Sequence, residues 1–245
     1  MEHDAYALMA RAERDHWWFR GRRHFIERVL RTLTLPASPH LLDAGCGSGG
    51  NLALLARFGR VSAFEYDAGA RMRATQLGIG HVEAGALPDA VPFPETGFDV
   101  IGLFDVLEHL PQPIESLAAL RARSATQGAL VLTVPALPWL WGPHDDVHQH
   151  FRRYTAQTLR EHLTRAGWRI EYLSYFNTLL LPLAVLQRVR ERLFGYRPEA
   201  LTPSPFVNRL LLALWRLEDS FIPRRHLPIG LSLIAIARPV EGSGA

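Results

Sequence analysis

Three side chains able to move protons or bind metal, Asp105, Glu108 and His109, recur at i, i+3 and i+4 in the segment Phe104–Leu110. On a helix that spacing puts two carboxylates and an imidazole on one face. Such a face supports His109 as general base toward a hydroxyl acceptor, or all three as ligands of a divalent cation; bracing the loop by hydrogen bonds is the third reading. A second concentration of chemistry lies between Trp139 and Tyr154, where His144, Asp145, Asp146, His148 and His150 precede Arg152, Arg153 and Tyr154. Histidines and aspartates at that density suit a metal. Arg152 or Arg153 suits a phosphate or carboxylate on an acceptor, or a structural salt bridge. The third cluster is His16-Trp17-Trp18-Phe19-Arg20-Gly21-Arg22-Arg23. Its rings can face a cation and its guanidiniums can fork onto an anion; alternatively it is an amphipathic helix anchored on the sheet by its tryptophans. Three adjacent aromatics cannot share one helix face, so at least one is expected to serve a ligand or a lid.

These groups need a frame, and the stretch Leu41-Leu42-Asp43-Ala44-Gly45-Cys46-Gly47-Ser48-Gly49-Gly50-Asn51 supplies it. An apolar strand ends in an acid, turns through glycines and opens into the helical pattern Leu52–Phe58. Glycine suits such a turn because the backbone takes positive φ and a ligand comes closer than a Cβ allows. Gly45, Gly47 and Gly50 also satisfy a dinucleotide fingerprint, with Glu65 twenty residues on, where a ribose-binding carboxylate belongs. A nicotinamide-dependent oxidoreductase is therefore one reading. The absence of lysine from the whole chain removes its commonest catalytic partner.

Along the chain, residues 1–35 read as helical, Arg60–Tyr66 as the second strand, 68–78 as helix and His81–Ala86 as a short strand. Asp67 fits a helix cap, which leaves Glu65 for the ribose. Phe98–Phe104 reads as the fourth strand, followed by one helical turn stopped by Pro111 and Pro113. Phe104, Asp105 and Val106 then fall at the carboxyl edge of the sheet, where open α/β sheets bind ligands. Residues 114–126 read as helix, Gly128–Pro135 as strand five, Thr155–Ala166 as a capped helix and Trp168–Tyr175 as strand six. Leu231–Ala237 is the last strand. Between the last two lie two apolar stretches, Asn177–Leu186 and Phe206–Leu217, separated by arginines and a proline-rich loop at 198–205. Neither stretch is long enough to span a bilayer.

With 245 residues, 48% hydrophobic and 21% charged, the chain can bury a sizeable core. A net charge of +3, spread without a basic tail, gives no reason to expect nucleic acid as partner. One cysteine, Cys46, excludes an internal disulfide framework and fits a reducing compartment. The first residues carry no apolar signal region, which predicts a cytoplasmic protein.

The phrase Leu-Asp-Ala-Gly-Cys-Gly-Ser-Gly, with its acid inside the strand end, resembles the first motif of class I S-adenosylmethionine-dependent methyltransferases. Phe98-Asp99-Val100 followed by Leu107-Glu108-His109 is similar to their fourth-strand segment. The His16–Arg23 phrase and His150-Phe-Arg152-Arg153-Tyr154 resemble a bacterial subgroup of that family. The resemblance implies a Rossmann-like α/β fold of seven strands in the order 3-2-1-4-5-7-6, the last antiparallel, with an N-terminal helix and a helical insertion before strand seven. It implies S-adenosylmethionine as cofactor and S-adenosylhomocysteine as product. Gly45, Gly47 and Gly49 would hold the methionine portion, Glu65 the ribose, and Ala86 with Leu87 the adenine; Asp43, Cys46, Asn51, Tyr66, Phe104, Asp105 and Val106 complete the expected cofactor set. Many relatives have an aspartate where this chain has Ala86, so backbone groups and Leu87 would have to recognise the base. His109 is the candidate base, and Trp17, Trp18, Arg20, His148, Arg152, Arg153 and Tyr154 are expected on the acceptor side. A Glu-x-x-Glu-His segment similar to Asp105–His109 holds metal in some relatives, so the metal set Asp105, Glu108 and His109 stays open.

The expected organisation is an N-terminal helical segment or lid (1–35), a methyltransferase core (36–175 and 229–239) and a helical cap (176–228). The cap would close the acceptor site, form a dimer contact or rest on the inner face of a membrane. The acceptor would be a small molecule, a glycan or a lipid-linked intermediate, methylated at oxygen. A cofactor-binding or membrane-associated module without catalysis is the non-enzymatic alternative.

Overall fold

The computed structural model describes residues 16–94, 97–195, 204–218, 221 and 224–240. Residues 1–15 of the expected N-terminal segment, and most of the proline-rich stretch at 198–205, lie outside the described residues. The described residues begin with α1 (Trp17–Leu30), then alternate β1 (His40–Ala44), the one-turn α2 (Leu52–Leu55), β2 (Arg60–Glu65), α3 (Ala68–Gln76), β3 (His81–Ala84) and β4 (Phe98–Phe104). A 3-10 turn (Leu107–His109) leads to α4 (Pro113–Arg121) and β5 (Ser124–Pro135). A second 3-10 turn (Pro138–Leu140), the short α5 (Pro143–Val147), α6 (Ala156–Arg165) and β6 (Trp168–Phe176) follow. The chain continues through α7 (Leu181–Phe194), α8 (Pro205–Glu218) and β7 (Ser232–Pro239).

The seven strands form one sheet in the order β3-β2-β1-β4-β5-β7-β6. The first five strands pair in parallel, and β7 runs antiparallel to both β5 and β6. This is the strand order the resemblance implies. Because successive residues of a strand point to opposite faces, the apolar runs serve two cores. Leu42, Ile101, Leu130 and Leu132 meet Leu117 and Leu120 of α4 and Leu159 and Leu163 of α6 on one face. Leu41, Val100, Val131 and Ile234 meet Phe25, Ile26, Val29 and Leu30 of α1, Leu52 and Leu55 of α2, and Trp215 of α8 on the other. Both faces are covered, which is why the central strands read as unbroken apolar runs.

Several local boundaries differ from expectation. Strand β5 begins at Ser124, four residues earlier, because Ser124 pairs with Phe98 before a register shift brings Ala129 opposite Val100. Helix α4 ends at Arg121, where β5 takes over the chain. Pro113 starts α4 as a residue of its first turn; its missing N–H would be unpaired there in any case, so it opens a helix and does not only stop the turn before it.

Helix α1 is held by α8. The Trp17 amide donates to Asn208 Oδ1 at 2.8 Å, and the Trp17 and Trp18 rings meet Trp215 edge-on at 5.8 and 5.1 Å. A Cβ at Gly21 would lie 2.4 Å from the Trp215 indole, so glycine is what allows the ring to close on the helix.

Candidate functional site

The turn after β1 carries the geometry its glycines require. Gly45, Gly47 and Gly49 have φ of +75°, +56° and +89°, and the Gly45 and Cys46 amides both donate to the Phe64 carbonyl at 3.0 Å. The turn is thereby pinned to β2. Glu65, at the end of β2, accepts from the Gly47 amide through Oε2 at 2.8 Å and from the Asp67 amide through Oε1 at 2.9 Å. Each oxygen keeps a further lone pair. Asp67 is used elsewhere, capping α3 through the Ala70 amide at 2.8 Å. A Cβ at Gly47 would meet nothing within 4 Å; that side of the turn is open space.

Asp43 lies under the turn, 1% exposed, with Oδ2 lacking any hydrogen-bond partner. Burial, and then the Glu65 carboxylate, push its carboxyl up to about 7. A buried carboxyl with one unpartnered oxygen, titrating near neutral pH beside an open turn, is a place where an arriving cation such as an amino-acid ammonium would favour the ionised form. Cys46 is buried, and burial first, then the Asp43 and Glu65 carboxylates, push its thiol up. Asn51 sits at the N-cap of α2 without a side-chain cap bond. Tyr66 is 81% exposed. Ala86 pairs its backbone with Ala90, and Leu87 packs against the core of the neighbouring face.

At the end of β4, Asp105 adopts φ of +51°, with its amide bonded to the Thr133 carbonyl at 2.9 Å. Its carboxylate pairs with Arg22 of α1. The same guanidinium donates from Nη2 to Thr133 Oγ1 at 2.7 Å. Burial lowers Arg22 to about 10, against a raising pull from Glu108, so it stays cationic at neutral pH. Arg22 therefore brings a fixed positive charge to the carboxyl edge of the sheet. Arg20, the expected arginine, is exposed. Arg22 was legible in principle, since it lies on the same stripe as Trp18, Phe25 and Val29, an apolar face on which a charge is out of place.

Asp105 consequently leaves the set proposed for metal. Residues 107–109 form only a 3-10 turn and Asp105 is left-handed, so the three do not share a helix face. The groups that converge are Glu108, His109 and His150, whose ligand atoms lie within 4.8 Å of one another. His150 comes from the histidine-rich loop, which packs back through the Phe151 amide onto the Glu108 carbonyl at 2.8 Å. Glu108 is 1% exposed, with Oε2 unpartnered, and burial raises its carboxyl to about 8. Burial lowers His109 to about 4, reinforced by His150 and His148; His144 is lowered to about 4 by burial and by His148. His109 and His144 are thus neutral at physiological pH.

Behind it, Asp145 is fully buried and accepts from His150 Nδ1 at 3.0 Å, Arg153 Nε at 2.7 Å and the Gly142 amide at 2.9 Å. Burial works to raise its carboxyl, and the bonds from His150 and Arg153 outweigh it and hold it well below its usual range. Arg153 is accordingly tied into the loop, with a second bond to the Ala136 carbonyl. Tyr154 is also turned inward: it is 1% exposed, with its hydroxyl on the Leu107 carbonyl at 3.5 Å and its ring edge on His162. Arg152 and His148 remain toward the outside; Arg152 reaches the Pro111 carbonyl at 3.2 Å. Trp17 and Trp18 are both half-buried and covered by Trp215, so the aromatic excess of α1 is absorbed by α8.

Glu108 yields a prediction. A carboxyl that binds its proton to about pH 8 when folded and near 4.5 when unfolded costs stability as pH rises between those values. Glu108→Gln carries no such dependence, so its melting temperature relative to the parent is expected to climb from pH 5 to pH 8. Differential scanning fluorimetry at the two pH values checks it; an equal difference at both would show that Glu108 ionises normally.

Comparison with known proteins converges on one family. The profile of a family described as a methyltransferase domain matches residues 15–173. A Mycolicibacterium smegmatis protein named "probable S-adenosylmethionine-dependent methyltransferase" is 27% identical over 164 residues, 64% of this chain. The match spans 61% of that relative, so this chain covers less than two thirds of its length. Among solved structures, a TehB-like S-adenosylmethionine-dependent methyltransferase from Corynebacterium glutamicum superposes with a TM-score of 0.59 at 18% identity, covering 96% of this chain and 97% of that one. A Haemonchus contortus phosphoethanolamine N-methyltransferase 2, in complex with phosphomonomethylethanolamine and S-adenosylhomocysteine, gives 0.59 at 14% identity over 89% of this chain and 52% of its own. With the strand order and the glycine turn in place, the chain belongs to the class I S-adenosylmethionine-dependent methyltransferases.

Proposed function

We propose that this chain transfers a methyl group from S-adenosylmethionine to an oxygen of a small, glycan-linked or lipid-linked acceptor. The observation that carries the reading is the open side of Gly47, with the Glu65 carboxylate bonded to the turn and the orphaned Asp43 carboxyl beneath it. These residues fit the cofactor: Glu65 offers two acceptor oxygens to ribose hydroxyls, Asp43 a partner for the ammonium, and Arg22 a cation toward the carboxylate. Phe104 and Val106 border the same edge, with Ala86 and Leu87 on the adenine side. When bound, S-adenosylmethionine supplies an electrophilic methyl on a sulfonium. The chain's part is to orient both reactants and to take up the acceptor's proton. Titration calorimetry with S-adenosylhomocysteine and NADH tests the cofactor; micromolar binding of the first and none of the second is expected, and the reverse would return the turn to a nicotinamide.

His109 is the candidate base. Held neutral down to about pH 4, it can accept a proton across the physiological range, and its weak basicity leaves most of the rate to positioning. At saturating S-adenosylmethionine, whose ammonium would hold Asp43 ionised, turnover is expected to stay flat from pH 8 to 5 and to fall as pH drops through about 4. His109→Ala is expected to lower turnover about a hundredfold with S-adenosylhomocysteine affinity unchanged. Unchanged turnover in this variant would remove both the base and the metal readings, and an acid limb near 6.5 would place another group in the base role. The convergence of Glu108, His109 and His150 favours a second reading, a divalent ion at those three groups. Chelation with EDTA decides between them: activity that survives it eliminates the ion and leaves the base.

A further inference from the structure

Helix α7 is apolar on its outer face as well as on its inner one, where Leu181 and Val185 pack against the core. Its face toward the protein carries Arg188 and Glu191, whose side chains are 14% and 9% exposed and pair at 2.7 Å, with Arg188 also reaching toward the buried Asp145 at 4.0 Å. Its outward face carries Leu183, Leu186, Val189, Leu193 and Phe194, exposed by 46% to 74%. No residue of α7 is buried. At 100° per residue those five positions share one side of the helix, with the exposed Arg190 among them. An isolated exposed leucine needs no explanation, but a contiguous stripe five residues long marks a surface meant to be covered.

The charge around the stripe selects what covers it. Segment 176–228 holds eight arginines and four carboxylates, while the whole chain carries a net charge of +3, so the positive balance of the protein resides in this segment. Among its described arginines, Arg190, Arg192, Arg209, Arg216, Arg224 and Arg225 are exposed. In a two-fold contact between copies, the same patch would meet itself and bring two cationic surfaces together. Arg190 inside the apolar arc would also need a partner in a dry interface, whereas at a lipid surface its stem lies along the acyl chains and its guanidinium rises to the phosphates.

We infer that α7 is an interfacial helix that seats the protein on an anionic lipid bilayer. The helix is fastened to the acceptor side: Arg192 donates to the Trp139 carbonyl at 3.4 Å and Arg188 faces Asp145, in the loop that carries His148 and His150. Trp139, 54% exposed, adds an amphipathic ring at the same level. Docking therefore brings the mouth of the candidate site to the membrane surface. The inference deepens the lipid-linked branch of the proposed function, yet the docking itself stands on α7 alone. Among the described residues no helix is long and apolar enough to cross a membrane, and the attachment is to the surface.

Flotation of the full chain with vesicles of phosphatidylcholine, with and without 30% phosphatidylglycerol, tests it. At least tenfold more protein is expected to float with the anionic vesicles, and to be released by 0.5 M salt. Leu186→Glu/Leu193→Glu is expected to abolish flotation while S-adenosylhomocysteine binding persists; if that variant misfolds, Phe194→Glu alone is expected to weaken flotation several-fold. Equal flotation with neutral vesicles, or none with either, overturns the inference. So does a dimer by light scattering that the double substitution dissociates, which would assign the stripe to a second copy. Loss of cofactor binding in the parent with flotation intact would overturn the methyltransferase reading and leave the docking standing.

Discussion

Gly47→Ala is expected to weaken S-adenosylhomocysteine binding by tenfold or more while leaving the fold nearly intact. At φ of +56° an alanine costs about 1–2 kcal/mol of left-handed strain, worth roughly 2–4 °C per kcal/mol in a chain of this size. Its methyl meets no protein atom within 4 Å, and the Gly47 amide still donates to Glu65. What the methyl enters is the space assigned to the ligand. Gly49→Ala is the contrast: its Cβ would stand 2.7 Å from Leu77 Cδ1 and 3.2 Å from the Ala74 backbone, so stability should fall with affinity. Calorimetry and melting curves on both variants check this. A Gly47→Ala protein that binds like the parent would falsify the assignment of this turn to the cofactor.

The second large effect is expected at Arg22. Arg22→Met leaves Asp105 without its cation and Thr133 without its donor in a site where the two charged partners are only 13% and 24% exposed. Breaking a fully buried pair costs about 3–5 kcal/mol; with this residual solvent contact about 2 kcal/mol is the expected loss. Affinity for S-adenosylhomocysteine should fall about tenfold in addition if, as proposed, the guanidinium faces the ligand's carboxylate. Arg22→Lys is expected to recover little, because one ammonium cannot span Asp105 and Thr133 as the planar fork does. Chemical denaturation of Arg22→Met, Asp105→Asn and the double variant closes the cycle. The double loss should be smaller than the sum of the singles by about 1 kcal/mol, and simple additivity would show that the pair is not coupled.

The local part of this molecule was legible in its residues. The strand, glycine turn and helix at Leu41–Leu55, the Asp67 and Thr155 caps, and the apolar strands follow from φ preferences, capping chemistry and two-residue periodicity, all of which act within a few positions. The order of strands came with the family resemblance, since pairing between distant segments leaves no local trace. Spacing could not say which group would be drawn across the fold. Asp105, Glu108 and His109 looked like one face, and a left-handed residue with a 3-10 turn separated them. His150 then replaced Asp105, because its loop folds back onto the Glu108 carbonyl. Tyr154 and Arg153 went inward for the same reason, satisfying Leu107, Ala136 and Asp145 where water is excluded. Arg22 reached the sheet edge only because α1 is clamped by Trp215 and Asn208, nearly two hundred residues along the chain. A side chain's type sets what it can do; packing between remote elements, which must satisfy every buried charge at once, decided which of them stand together.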